Sequence, residues 1–156
     1  MNMSEDHYLI EPAQLEDIET LAEFNCQMAQ ETEGKLLDPE TVVRGVKGLF
    51  ADSSRGRYLV ARQQKTVIGQ LLITLEWSDW RNGEIWWIQS VYVHPDHRNR
   101  GVFRSLYQTV RTEAESRDDV LGIRLYVEHG NQNAQAVYQS LGMSHGGYEV
   151  MEFMKS

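Results

Sequence analysis

The chain has 156 residues, 41% of them hydrophobic and 24% charged, which is the mixture of one globular domain with its own core and not of a disordered or fibrous protein. Its formal net charge of -8, from 23 acidic against 15 basic residues, opposes any general affinity for nucleic acid. No apolar run is long enough to cross a bilayer, and the opening MNMSEDHY is polar and acidic where a secretory leader would be basic and then apolar, so a cytoplasmic protein that engages no membrane is expected.

Nothing divides the sequence: there is no repeat, low-complexity stretch or linker, and Pro12, Pro39 and Pro95 all fall beside element ends, so residues 1–156 read as a single domain. His7 to Glu11 reads as a short strand. Leu15, Ile18, Leu21, Ala22, Met28 and Ala29 then recur at helical spacing, with Cys26 as a buried structural thiol inside the pattern. Asp38, Pro39 and Glu40 supply an N-cap, a preset first helical dihedral and a negative charge for a second helix, whose buried face is Val42, Val43, Val46, Leu49 and Phe50.

Arg57 to Arg62 and Thr66 to Trp77 are rich in branched and aromatic residues on either side of Gln63-Gln64-Lys65, which predicts an antiparallel hairpin, and Glu84 to Val93 predicts another strand. Gly101 to Arg117 carries Val102, Leu106, Val110 and Ala114 at four-residue steps, a helix with one buried stripe. Leu121 to Glu128 reads as a strand, Asn131 to Leu141 as a short helix stopped by Gly142, and Tyr148 to Met154 as a closing strand. The order is β-α-α-β-β-β-α-β-α-β.

Two stretches carry chemistry. The strand ending Ser90-Val91-Tyr92-Val93 leads through His94-Pro95-Asp96 into Arg98-x-x-Gly101 at the start of a helix, where first-turn amides point outward and the dipole favours an anion. Gly101 allows close backbone approach to phosphate oxygens, and Arg98, Arg100 and Arg104 can add charge-assisted contacts; on this stretch alone, a tight turn with a solvated basic face explains the pattern equally well. In the second stretch Asn131 starts a helix on which Tyr138 lies two turns along, about 10 Å away by helical rise, so that one helix could touch both ends of an extended ligand arm. Taken singly, Asn131 is a plain N-cap and Tyr138 a packing aromatic.

Together, the segment Val91-Tyr92-Val93-His94-Pro95-Asp96-His97-Arg98-Asn99-Arg100-Gly101-Val102 and the segment from Asn131 to Met143 resemble the paired motifs of the GCN5-related N-acetyltransferase (GNAT) family, and the element order agrees over nearly the whole chain. The resemblance implies an α/β (α+β) fold with a mixed, mostly antiparallel sheet of six to seven strands flanked by about four helices. It implies acetyl-CoA as cofactor, held by Val91, Tyr92, Val93, Arg98, Asn99, Arg100, Gly101, Val102, Phe103, Arg104, Asn131 and Tyr138. A bulge would splay the strand ending at Val93 away from the strand starting at Leu121, with the exposed backbone of Val91 and Val93 pairing with the pantetheine arm. Relatives commonly carry Gly or Ala where this chain has Phe103, whose ring is therefore expected to turn into packing and leave its amide available.

The implied activity is transfer of an acetyl group to a primary amine by direct attack on the thioester, with Tyr138 as the acid beside the departing sulfur. Histone-modifying relatives place a glutamate where this chain has Trp87, so the base is read as Glu84, ahead of Glu76 and Glu128, with a chain of waters and no dedicated base as the alternative. The regions Glu31-Thr32-Glu33-Gly34-Lys35 and Trp77 to Gly83 have the carboxylates and aromatic rings of an acceptor wall, naming Glu31, Glu33, Trp77 and Trp80 for a cationic amine, together with Glu128 near a strand end that could face the cleft, while Trp86 and Trp87 read as packing residues. The five histidines form no ligand framework, so no metal is expected. A small-molecule amine is the expected acceptor and a homodimer accords with the family; a protein or peptide acceptor, or a non-catalytic acyl-CoA-binding module, are the alternatives.

Overall fold

The computed structural model describes residues 7–156; the acidic stretch 1–6 that entered the leader argument lies outside the described residues. The chain forms two compact units, one ending at Tyr126 and one spanning Val127–Ser156. In the first, five strands lie side by side in chain order: β1 Leu9–Pro12, β2 Arg57–Gln63, β3 Thr66–Ser78, β4 Gly83–Val93 and β5 Val120–Leu125. All neighbours are antiparallel except β4 and β5, which run parallel. The crossover between those two is helix α3, Val102–Glu115, as a parallel connection requires.

Side-chain alternation sorts β2 and β3 into two buried faces. Tyr58, Val60 and Gln70 face the helices α1 (Ile18–Glu33) and α2 (Pro39–Ala51), whose Leu21, Ala22, Phe24 and Val46 complete one core. On the other face Gly69 lies against α3. A methyl group there would come within 2.9 Å of Val102 and 3.6 Å of Leu106, so the missing side chain lets the first turn of α3 sit close on the sheet. Helix ends follow local chemistry: Asp38 accepts from the Thr41 amide at 3.3 Å, and Gly34, at φ +63°, closes α1 with its amide on the Gln30 carbonyl.

The second unit holds α4, Gln132–Ser140, capped by Asn131 Oδ1, which accepts from the Ala134 amide at 3.1 Å. Two expectations are corrected here. Among the described residues the sheet has five strands and not six to seven, because Tyr148 to Met154, expected as a closing strand, is not one: branched and aromatic composition favours a strand, but a strand exists only where a neighbour completes its ladder. The strand expected to reach Glu128 stops at Leu125, since Tyr126 turns its ring onto Trp87 and the carbonyls of Glu128 and His129 accept from Gln135 Nε2 instead. Among the described residues no helix is long and apolar enough to cross a membrane.

One buried ion pair ties the start of α1 to the sheet. Asp17, 6% exposed, accepts from both terminal nitrogens of Arg62 at 3.0 and 2.7 Å and from the Gln14 amide at 2.8 Å. Burial alone would raise the Asp17 carboxyl, but the Arg62 bonds and the Gln14 amide outweigh it and hold the carboxyl below its ordinary value. Asp17→Asn, which leaves Arg62 paired with Glu11, should therefore cost about 2 kcal/mol at neutral pH, measured by urea unfolding. With a depressed folded-state pKa, the wild-type advantage is complete above the ordinary carboxylate range and shrinks as pH falls through the folded value.

Candidate functional site

The site is built on β4. Between Gln70 and Leu72 of β3 lies one residue, Leu71; between their partners Tyr92 and Gln89 lie two, Ser90 and Val91. That extra residue is a β-bulge, and Ser90 takes the left-handed conformation it requires, at φ +51°. A non-glycine residue there costs on the order of 1 kcal/mol, so the surroundings must over-determine it. Gln70, fully buried, donates from Nε2 to the Ser90 carbonyl at 3.0 Å and to Asn25 Oδ1 at 2.8 Å. Asn25 Nδ2 donates in turn to the Tyr58 hydroxyl at 3.0 Å, which also bonds the Ser90 side chain. Burial raises the Tyr58 phenol above its ordinary pKa against the opposing pull of these two bonds, so it stays a neutral member of the network.

The bulge coincides with the end of parallel pairing. β5 accompanies β4 only from Glu84 to Ile88, which pairs with Leu125, so Gln89 to Val93 continue without a described strand partner on that side. An unpaired strand edge presents amides and carbonyls to an amide-bearing chain. After β4, Asn99 at φ +63° and Gly101 at φ +77° turn the chain into α3, whose start has no side-chain cap among the described residues. The amides of Val102, Phe103 and Arg104 form that first turn. The half-buried Phe103 ring lies 6.3 Å from the Tyr107 ring, one turn along the same helix.

The three arginines are placed differently. Arg98 bends back over the Tyr92 ring, donating to the Val93 carbonyl at 2.9 Å and to Glu31 at 2.7 Å, and Glu31 also accepts from the Tyr92 hydroxyl at 2.9 Å. Bonds from Arg98 and Tyr92 lower the Glu31 carboxyl. This cluster pins the end of α1 to the end of β4. Arg100 lines an open cavity of about 380 Å³ beside the start of α3, with Tyr8, Gln63, Ile68, His97 and Val102 among its walls. Arg104 is exposed in the first turn of α3.

Within the first unit, the carboxylates and rings expected to form an acceptor wall are not brought together. Glu84 lies in β4 just after its first residue, six positions before Ser90, about 20 Å of strand; it accepts from Trp86 Nε1 at 3.2 Å and lies 3.9 Å from Arg117. Trp77, which pairs with Glu84, and the exposed Trp80 sit at that same remote end of the β3–β4 hairpin. Glu31 is engaged near Tyr92, and Glu33 pairs with Lys35 at 3.6 Å. Glu128 belongs to the second unit, where Tyr138 is half-buried and burial raises its phenol above the ordinary value.

What the sequence did not reveal is a polar and aromatic platform beside the bulge. Strand alternation places Thr74 and Glu76 of β3, Trp87 and Gln89 of β4 and Arg124 of β5 on one face. Glu76 accepts from Trp87 Nε1 at 2.9 Å and from Arg124 at 3.1 Å, Gln89 donates to Thr74 at 2.7 Å, and the Tyr126 ring packs 4.6 Å from that of Trp87. The adjacent tryptophans Trp86 and Trp87 read alike in sequence, but the pleat buries one and half-exposes the other.

Residues 17–143 match the family model described as acetyltransferase (GNAT) family. A solved structure described as a possible acetyltransferase from Clostridium difficile 630 is 41% identical, with 96% of this chain and 98% of that one covered at a TM-score of 0.90. Ribosomal-protein-alanine N-acetyltransferase from Brucella melitensis biovar Abortus 2308 shares the fold at 18% identity, covering 95% of this chain and 100% of that one at a TM-score of 0.76. Glucosamine-6-phosphate N-acetyltransferase from Arabidopsis thaliana does so at 15% identity, over 96% and 99% of the two chains, at 0.73. No curated protein sequence matches the chain.

Replacing Gln70 with Leu removes the donor that satisfies the inward Ser90 carbonyl and strands Asn25 Oδ1. Urea unfolding of Gln70→Leu should show a loss of about 2 kcal/mol, the cost of an unsatisfied buried acceptor; an unchanged midpoint would mean that the bulge is held by other contacts.

Proposed function

Because this chain belongs to the acetyltransferase (GNAT) family, we propose that it transfers the acetyl group of acetyl-CoA to a primary amine of a small molecule, by direct attack within a ternary complex. The observation that carries the reading is the coincidence at Ser90–Val91 of a bulge with the end of β4–β5 pairing, which leaves a strand edge open over Gln89 to Val93. Acetyl-CoA supplies an activated thioester. The backbone of Val91, Tyr92 and Val93 accepts its amide-bearing arm as an added strand, and the amides from Asn99 to Arg104, with Gly101 giving close approach, hold the diphosphate. Arg100 and Arg104 add positive charge there, while Arg98, tied to Glu31, shapes the turn. Asn131 contributes from the start of α4, as the family resemblance implies.

The acceptor amine lies over the face of Glu76, Trp87, Gln89, Arg124 and Tyr126, where rings and a carboxylate offer cation-π and ionic contacts. The net charge of -8 favours approach of a cation over that of an anion. Glu84, remote from the bulge and engaged by Trp86 and Arg117, has a structural part in this reading, and water on the Trp87 face carries away the amine proton. Tyr138 donates a proton to the departing sulfur. Its phenol is suited to this, since burial raises the pKa and keeps the donor protonated at neutral pH.

Incubated with acetyl-CoA and a panel of small primary amines and peptides, the protein should release free thiol with at least one small amine. Thermal stabilisation by acetyl-CoA with no thiol from any acceptor would favour the binding module, and release with peptides alone would favour the peptide acceptor. Tyr138→Phe should lower kcat on the order of 100-fold with KM for acetyl-CoA nearly unchanged, the mark of a group that acts in the transition state. A wild-type rate that falls with rising pH only above the ordinary phenol range, with that fall absent from the variant, would identify the raised Tyr138 pKa as the titrating group; equal rates for the two proteins would remove Tyr138 from the mechanism.

A further inference from the structure

The sheet face beside the bulge, read above as the acceptor side, holds a charge of each sign. Arg124 of β5 stands opposite Trp87 of β4, and its Nη1 donates to Glu76 Oε2 of β3 at 3.1 Å, with both side chains partly open to solvent. Trp87 Nε1 holds the other oxygen of that carboxylate at 2.9 Å. The Tyr126 ring, 61% exposed, packs 4.6 Å from the half-buried indole, so apolar ring surface adjoins the ion pair. A guanidinium repels a bare ammonium but pairs with a carboxylate, for which its planar fork of five N–H donors is suited. An acceptor that answers both charges carries an anion as well as its amine. Register sets the spacing between the two. The open edge begins at Gln89, two positions beyond the row of Trp87 and Arg124, which is about 7 Å along the strand. An extended chain spans about 3.5 Å in every three bonds, so about six bonds fit between the reacting nitrogen and the carboxyl carbon.

We infer that the acceptor is an ω-amino acid, whose primary amine reacts at the open edge, whose apolar stem crosses the rings of Trp87 and Tyr126, and whose carboxylate is held by Arg124. The inference rests on the acetyl-transfer reading and adds the acceptor's class to it. Arg124 is then a specificity-determining residue at the end of the acceptor away from the chemistry, and Glu76 positions its guanidinium. Such a zwitterion has no net charge, so the acidic protein does not repel it as it would a simple carboxylate. The transfer consumes only acetyl-CoA and the acceptor: the amine nitrogen bonds the acetyl carbon, the carbon–sulfur bond breaks, the amine gives up a proton to water, and the leaving thiolate gains one.

Thiol release from acetyl-CoA tests it with three acceptors: 6-aminohexanoate, pentylamine, which is the same chain without the carboxylate, and glycine, whose two charges are too close together. The wild type should favour 6-aminohexanoate over each of the others in kcat/KM by on the order of 10-fold or more, the worth of one charge-assisted pair. Arg124→Gln should bring the ratio of 6-aminohexanoate to pentylamine near 1, chiefly by raising KM for the acid, with KM for acetyl-CoA unmoved. A wild type that uses pentylamine or glycine as well as 6-aminohexanoate overturns the inference and leaves acetyl transfer standing. So does a folded Arg124→Gln variant whose ratio is that of the wild type. Release from none of the three also overturns it, and the wider panel of amines and peptides then decides separately whether the transfer reading survives. If the variant does not fold, the wild-type ratios decide by themselves.

Discussion

The bond from Gln70 Nε2 to the Ser90 carbonyl holds β4 in a shape that strand pairing alone would not choose. A regular β4 would keep its ladder and present no edge; the extra residue at Ser90–Val91, with Ser90 in a left-handed conformation, breaks the register. The inward carbonyl it creates would be costly in a core if left without a donor. A fully buried glutamine supplies the donor, and Asn25 and Tyr58 fix the glutamine. Strain on the strand is thus offset by a polar network contributed by β3, its hairpin partner, and by α1 and β2, farther away in sequence, which is why these elements bear on the site.

The same logic sets the two ends of α1. At its start Asp17 and Arg62 pair out of solvent, and near its end Glu31 gathers the Tyr92 hydroxyl and the Arg98 guanidinium. The second cluster lies where β4 gives way to the turn leading into α3, so the helix that supplies Asn25 to the bulge also restrains the chain just before the uncapped first turn. Gly69 completes this geometry by letting α3 approach the sheet closely. The open strand edge and the turn into α3 are consequences of one packing arrangement.

Much of this could be read from the residues. Helical and alternating periods, with the helix-end residues, located the four α-helices and five strands of the described residues, because those periods report which side is buried, and Arg98-x-x-Gly101 located the turn into α3. Local pattern could not report distance. Glu84, Trp77 and Trp80 look like neighbours of the site, yet the hairpin carries them to its far end, and Arg98 looks like a phosphate ligand, yet Glu31, 67 residues earlier, holds it. The platform of Glu76, Trp87, Arg124 and Tyr126 depends on register across three strands, which no single stretch encodes. Residues 148–154 have the composition of a strand, but whether a strand forms depends on a neighbour, and composition does not name one.

A crystal structure of the full chain with coenzyme A tests most directly whether the edge opened at the bulge is the cofactor site. The account predicts the pantetheine amides paired with the backbone of Val91 and Val93, and the diphosphate within hydrogen-bond distance of the Val102, Phe103 and Arg104 amides. Coenzyme A bound elsewhere, or Phe103 turned into the first turn of α3 with no ligand there, would contradict it.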